Sequence, residues 1–244
     1  MIDVSKPQWD FQNVGEFLLV DKPLDWSSFD VVKKIKVLFG VRRVGHAGTL
    51  DPKATGLLIV CTGKKTKTLD SYQIHEKEYI GTFELGVRTP SFDSETGTSE
   101  TRDFRFVDRE MIDAALTKFV GKIRQKPPMY SAAKFDGKPL YLFARKGTTV
   151  DRSDKEVEIQ EFRVTAFSSP MVEFKVVCSK GTYVRTLVED LGIDLGCGCT
   201  LRSLRRTRIG PYKVEEAMGI EELIGLSRTL NSRREQFYEV GEPA

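Results

Sequence analysis

Tyr79-Ile80-Gly81-Thr82-Phe83-Glu84-Leu85 puts Tyr79, Gly81, Phe83 and Leu85 on one side of an extended chain and Ile80, Thr82 and Glu84 on the other. Such a period of two marks a strand with one buried face. Met171 to Cys178 repeats it, with Val172, Phe174, Val176 and Cys178 alternating against Glu173, Lys175 and Val177. Phe17-Leu18-Leu19-Val20, Leu57 to Cys61 and Val157 to Val164 read as further strands, the first stopped by Asp21-Lys22-Pro23. Between them lie helical patterns. Ser27-Ser28 offers an N-cap before Val31, Val32, Ile35, Leu38 and Phe39, and Gly40 ends the run. Asp108 caps a second run through Met111, Ile112, Ala115, Leu116, Phe119 and Val120. Leu140 to Lys146 fits a short helix, and Tyr183 to Leu195 a longer one. Strands and helices mix without a regular βαβ repeat, which predicts an α+β fold on a largely antiparallel sheet.

The chain has 244 residues, 40% hydrophobic and 30% charged, the composition of a folded globular protein and not of a disordered one. Its 38 basic and 35 acidic residues leave a net charge of +3, so a polyanion partner would have to be met by a local basic face. No apolar run approaches the roughly 20 residues that cross a bilayer, and the N-terminus lacks a signal-peptide pattern. Cys61, Cys178, Cys197 and Cys199 are scattered apart from one Cys-x-Cys pair, so neither a disulfide framework nor, with only two histidines to add, the four well-spaced ligands of a structural zinc site is expected. A cytoplasmic protein without metal or cofactor is expected.

Three segments could carry chemistry. Val41 to Thr55 shows neither period and reads as a loop, of a length that is usually functional. Within it, Gly45-His46-Ala47-Gly48-Thr49-Leu50-Asp51-Pro52 combines permissive glycines with an aspartate that Pro52 pushes toward extended backbone. An isolated Asp-Pro is ordinarily a surface turn. The second segment, Ser179 to Leu187, joins a strand to a helix and holds Tyr183 and Arg185. The third, Leu201 to Gly210, carries Arg202, Arg205, Arg206 and Arg208 with no acid, the composition of a phosphate-binding ridge. Lys64, Lys65 and Lys67 add a smaller basic cluster. Thr89 to Arg102 is polar and reads as an exposed, mobile loop. Walker, dinucleotide, zinc-protease, nucleophile-elbow and deaminase signatures are all missing. A nucleic-acid enzyme built this way would work with a carboxylate, on a glycosidic bond or a base.

Taken jointly, six segments resemble the TruB family of tRNA pseudouridine-55 synthases. In order they are Leu19-Val20-Asp21-Lys22-Pro23 with Ser27-Ser28; Gly45 to Leu58; Lys77-Glu78-Tyr79; Gln125 to Lys134; Gly181-Thr182-Tyr183-Val184-Arg185; and Leu204-Arg205-Arg206-Thr207. The resemblance implies an isomerase that extrudes a uridine of the TΨC loop, breaks its N1–C1′ bond and joins C5 to C1′. Asp51 corresponds to the essential carboxylate, acting either on C1′ directly or by removing a C2′ proton. Arg185 corresponds to the arginine that pairs with it, and Tyr79 to the aromatic that stacks on the flipped uracil. Tyr183 and Leu204 correspond to pocket walls, and His46 to a wedge beside the vacated stack. Lys22 and Lys67 match basic positions near the RNA or the active site.

The same resemblance implies a mixed, mainly antiparallel sheet with flanking helices and RNA-gripping insertions. It also implies tRNA as partner, no small-molecule cofactor and no metal. Many relatives carry a PUA-type domain after the catalytic part. Here the catalytic domain is expected over residues 1–230 with a flexible tail at 231–244, without such a domain, as a monomer. A non-catalytic RNA binder, or an isomerase acting on another RNA, are the competing expectations.

Overall fold

The computed structural model of the chain describes residues 9–239. In chain order the elements are β1 (Phe17–Lys22), α1 (Ser28–Phe39), β2 (Val44–Ala47), β3 (Ala54–Thr62), α2 (Leu69–Gln73), β4 (Lys77–Leu85), β5 (Val87–Arg88), β6 (Glu100–Thr101) and α3 (Arg109–Thr117). They continue with β7 (Gly121–Gln125), β8 (Lys134–Phe135), β9 (Lys138–Pro139), α4 (Leu140–Ala144), β10 (Lys155–Ser168), β11 (Met171–Cys178), α5 (Val184–Asp194), β12 (Cys199–Ile209), β13 (Tyr212–Lys213) and α6 (Ile220–Glu239). Two compact units result. Residues up to Ile74 group with those from Arg206 onward, and His75–Arg205 form the other.

In the first unit β3 is the centre. It pairs antiparallel with β1, from Phe17 opposite Cys61 to Lys22 opposite Gly56, and with β2, from Val44 opposite Thr62 to Ala47 opposite Ile59. Its side chains alternate between two cores, which is why the run is apolar on both faces. Leu58 and Val60 pack with Leu18 and Val20 against Val31 and Ile35 of α1 and Leu223 and Leu226 of α6. Leu57 and Ile59 pack on the other side with Ala47, Ile209 and the rings of Phe17, Tyr72 and Tyr212. Helix α1 starts with a capping box between Ser27 and Asp30 and stops at Gly40, which takes the left-handed conformation. Gly56 has φ +102°, and a Cβ there would lie 2.3 Å from the Arg206 carbonyl oxygen, so only glycine fits this strand crossing.

The second unit is an antiparallel sheet in the order β4, β11, β10, β7, with the first part of β12 beside β4. Tyr79 pairs with Val176 and Phe83 with Val172, while Val157 pairs with Ile123. One face is core. Phe83, Phe174 and Phe162 form a chain of ring contacts at 5.8 and 5.6 Å, and α3 packs over β10 and against α5. The other face carries charge ladders, Lys175 to Glu78 at 3.0 Å and to Glu161 at 3.4 Å. The α+β, mainly antiparallel class expected from the alternating segments is therefore the observed one.

Several expectations change. The loop foreseen from Val41 to Thr55 contains β2, a strand made by pairing with β3 and not by its own residues. Helix α3 ends at Thr117, before Phe119 and Val120, because β7 begins at Gly121. The segment Thr89 to Arg102 is not an exposed loop throughout: Thr89, Ser91 and Asp93 are buried, and Glu100–Thr101 within it forms β6, paired with β5 just before the segment. Residues 231–239, expected in a flexible tail, belong to α6, while the rest of that tail, 240–244, lies outside the described residues.

Candidate active site

Asp51 sits between β2 and β3, half-buried, in a stretch whose neighbours are tied through their main chain. Gly48 turns the chain with φ +86°. Leu50 plugs into the interior, and the Ser28 hydroxyl both accepts from its N–H (2.9 Å) and donates to its carbonyl (3.2 Å). Ser28 is available for this because it opens α1. The Pro52 carbonyl accepts from the Asp25 N–H at 2.9 Å and from Lys22 Nζ at 3.4 Å. Ala54 N–H closes a turn onto the Asp51 carbonyl at 3.0 Å. Arg206 then bridges the two ends, its Nε donating to Leu57 at 2.7 Å and its Nη2 to Gly48 at 3.1 Å.

Two of the basic candidates, Arg206 and Lys22, are thus interior. Arg206 is only 1% exposed, which corrects the expectation of a solvent-facing ridge at that residue. The reason is strand alternation along β12: Leu204 and Arg206 point inward, while Arg205 and Thr207 are partly exposed. Lys22 is 0% exposed, and its ammonium is engaged by main-chain carbonyls. Burial pushes it down to about 8, with the Asp51 charge acting in the opposite direction and the Arg206 charge adding to the fall. His46, on β2, is held below the ordinary histidine range by burial first and by the Arg206 charge second. That keeps a neutral imidazole at this edge. Lys67 stays exposed in the 3₁₀ stretch Gly63–Thr68.

In the second unit the candidates gather differently. Arg185, in the first turn of α5, is 2% exposed, and there its side chain itself is gripped. Nη1 donates to the Ser91 carbonyl at 3.0 Å, Nη2 to the Tyr130 carbonyl at 2.8 Å, and Nε lies 3.5 Å from Asp93 Oδ2. Asp93 is fixed in turn: its carbonyl accepts from the hydroxyls of Thr89 (2.8 Å) and Ser91 (3.2 Å), and its Oδ1 accepts from the Glu95 N–H. Tyr79 is buried on β4 in the row with Phe83 and Leu85, and Leu204 is buried on β12. Tyr183 occupies the N-cap position of α5, where the amide of Gln125 meets both its N–H (3.1 Å) and its carbonyl (3.3 Å).

Sequence reading missed Asp93, Ser28 and Gln125 as supports of the candidate residues. Gln125 heads a segment already singled out. Asp93 was hidden by its polar neighbours, which suggested exposure, although their hydroxyls are what allow it to be buried.

With the geometry described, the chain can be set beside known proteins. Residues 36–184 match the model of the TruB family pseudouridylate synthase (N terminal domain), and residues 185–239 that of the tRNA pseudouridylate synthase B C-terminal domain. A tRNA pseudouridine synthase B of Chlorobium luteolum is 49% identical over 213 residues, covering 85% of this chain and 74% of its own length. One of Phocaeicola vulgatus is 46% identical over 213 residues, covering 85% and 91%. Among solved structures, a chain of a Cbf5-Nop10-Gar1 complex matches with TM-score 0.67 and 28% identity over 86% of this chain. A chain of an H/ACA RNP bound to a substrate RNA containing 2′-deoxyuridine matches with TM-score 0.65 and 26% identity, again over 86%. The present chain spans about half the length of those two solved chains, 53% and 52%.

Proposed function

The chain belongs to the TruB family of pseudouridylate synthases, and from that premise we propose that it converts uridine 55 in the TΨC loop of tRNA to pseudouridine. At the coarser level it is a tRNA pseudouridine synthase, an isomerase. The reaction adds and removes nothing: the N1–C1′ bond breaks, the uracil turns, C5 bonds to C1′, and the C5 proton leaves as N1 gains one. Its difficult moment is an electron-poor ribose, which a carboxylate can relieve by attack at C1′ or by taking a C2′ proton.

Asp51 is the proposed carboxylate. The observation that carries this is the tying of the main chain on both sides of it, at Leu50 by Ser28, at Pro52 by Asp25 and Lys22, and at Gly48 and Leu57 by Arg206. Such a scaffold sets a side chain in advance of its substrate, which is what catalysis asks of a reacting group. Tyr79 is proposed to stack on the extruded uracil, a contact of about 1–3 kcal/mol per base. Arg185 is proposed as the counter-charge of the carboxylate, with Tyr183, Leu204 and His46 bounding the base. Exposed Lys67 and partly exposed Arg205 are proposed to meet phosphate, with tRNA recognised by the shape of its folded arm. Among the described residues no helix is long and apolar enough to cross a membrane, and we propose that a monomer acts in the cytoplasm, where tRNA is found.

The test is direct. Incubation with an unmodified tRNA transcript, followed by mapping at single-nucleotide resolution, should give product at uridine 55; product elsewhere, or none, defeats the assignment. Asp51→Asn should keep tRNA affinity and lose turnover by at least about a hundredfold, since shape is kept and charge removed. Normal turnover by that variant would favour a different reacting group.

A further inference from the structure

Lys22 closes β1 with an ammonium whose three N–H groups face three main-chain carbonyls: Trp26 at 2.5 Å, Pro23 at 2.9 Å and Pro52 at 3.4 Å. The charged groups that act on it come from every side of this pocket. They are Asp51 from the loop after β2, Arg206 from β12, Asp25 from the loop after β1 and Asp30 from α1. Two of the acceptors, Pro23 and Trp26, belong to its own turn. The third is the carbonyl of the residue directly after Asp51.

We propose that Lys22 is a positioning residue for the reaction at Asp51, holding the Pro52 peptide through an N–H that exists only while the amine is protonated. A neutral amine keeps two donors and presents a lone pair, so one carbonyl must lose its partner. The longest bond, to Pro52, is the one given up. The Asp25 N–H remains on that carbonyl, so the loop is loosened and not released. The positive charge beside Asp51 disappears in the same step. The inference rests on Asp51 being the reacting carboxylate.

Burial brings this titration down to about 8, within reach of an ordinary pH profile. Its effect on the fold has the opposite sign. A lysine whose folded value lies below its unfolded one binds more protons unfolded, so from about pH 8 toward the ordinary lysine value of 10.5 this group favours folding as pH rises. Rate lost in that window is therefore not fold lost through Lys22.

The experiment is single-turnover pseudouridine formation on a tRNA transcript across pH, with wild type, Lys22→Arg and Asp51→Asn. In wild type the rate should fall about tenfold between about pH 7 and about pH 9, following the protonated fraction. In Lys22→Arg the ratio of the two rates should lie near one, because a guanidinium stays charged throughout. Equal ratios in the two proteins overturn the inference. Should Lys22→Arg fail to fold, carbon-13 labelling of the lysine ε positions in wild type reads the titration by NMR. A Lys22 midpoint coinciding with the alkaline limb of the rate supports the proposal, and one at the value of the surface lysines overturns it. An inert Asp51→Asn together with equal ratios sinks the role of Lys22 alone. A normally active Asp51→Asn sinks the reading of Asp51 first.

Discussion

Two regions of the molecule hold their key residues by opposite means. Around Asp51 the scaffold grips the main chain, at Gly48, Leu50, Pro52 and Leu57, with donors from Arg206, Ser28, Asp25 and Lys22. Around Arg185 it grips the side chain, with carbonyls of Ser91 and Tyr130 and the carboxylate of Asp93. The difference follows from size. A short aspartate is aimed by its backbone, whereas a long arginine can wander on its own rotamers unless its head is fixed. Each region also buries a guanidinium, and each satisfies it with several acceptors, since a buried charge without them would cost several kcal/mol.

The sharpest way to break this comparison is at Asp93. Both it and Arg185 are nearly fully buried, so Asp93→Ala should cost about 3–5 kcal/mol in urea unfolding, the penalty of stranding a buried charge. A loss below about 1 kcal/mol would mean that the two carbonyls suffice to hold the guanidinium. Next comes Ser28→Ala, which leaves the N–H and carbonyl of buried Leu50 without their hydroxyl. About 2 kcal/mol of stability should go, along with part of the single-turnover rate. Unchanged turnover would show that the backbone grip at Leu50 does not aim Asp51. The smallest effect separates Arg205 from its neighbour. Arg205→Ala should lower the slope of log affinity against log salt by about 0.7–0.9, one phosphate's worth, whereas Arg206→Ala should leave that slope alone and lower the melting temperature. Matching slopes for the two variants would contradict the inward orientation of Arg206.

Most of the fold was legible because its signals are local. The alternation in β4 and β11, the Ser27 cap and the Gly40 stop each need only a few consecutive residues, and each is found where the pattern put it. What escaped depends on partners far along the chain. Val44-Gly45-His46-Ala47 has no strand signal of its own and becomes β2 by pairing with β3. The basic run in β12 looked uniformly solvated, and nothing local announces that the carbonyls of Gly48 and Leu57 await Arg206 from more than a hundred positions away. The same holds for Lys22, whose burial depends on three carbonyls meeting around it. At the candidate site, the resemblance to the TruB family pointed to Asp51, Tyr79 and Arg185, but not to the Ser28 hydroxyl beside Asp51 or the Thr89 and Ser91 hydroxyls that fix Asp93 beside Arg185.

Gly56 carries a consequence for any effort to redesign this protein. Its positive φ, and the carbonyl of Arg206 where a methyl group would have to go, leave no room for adjustment by a flexible neighbour, since the obstacle is peptide and not side chain. A library randomised at codon 56 and selected for soluble expression should return one amino acid, however permissive the positions around it prove to be.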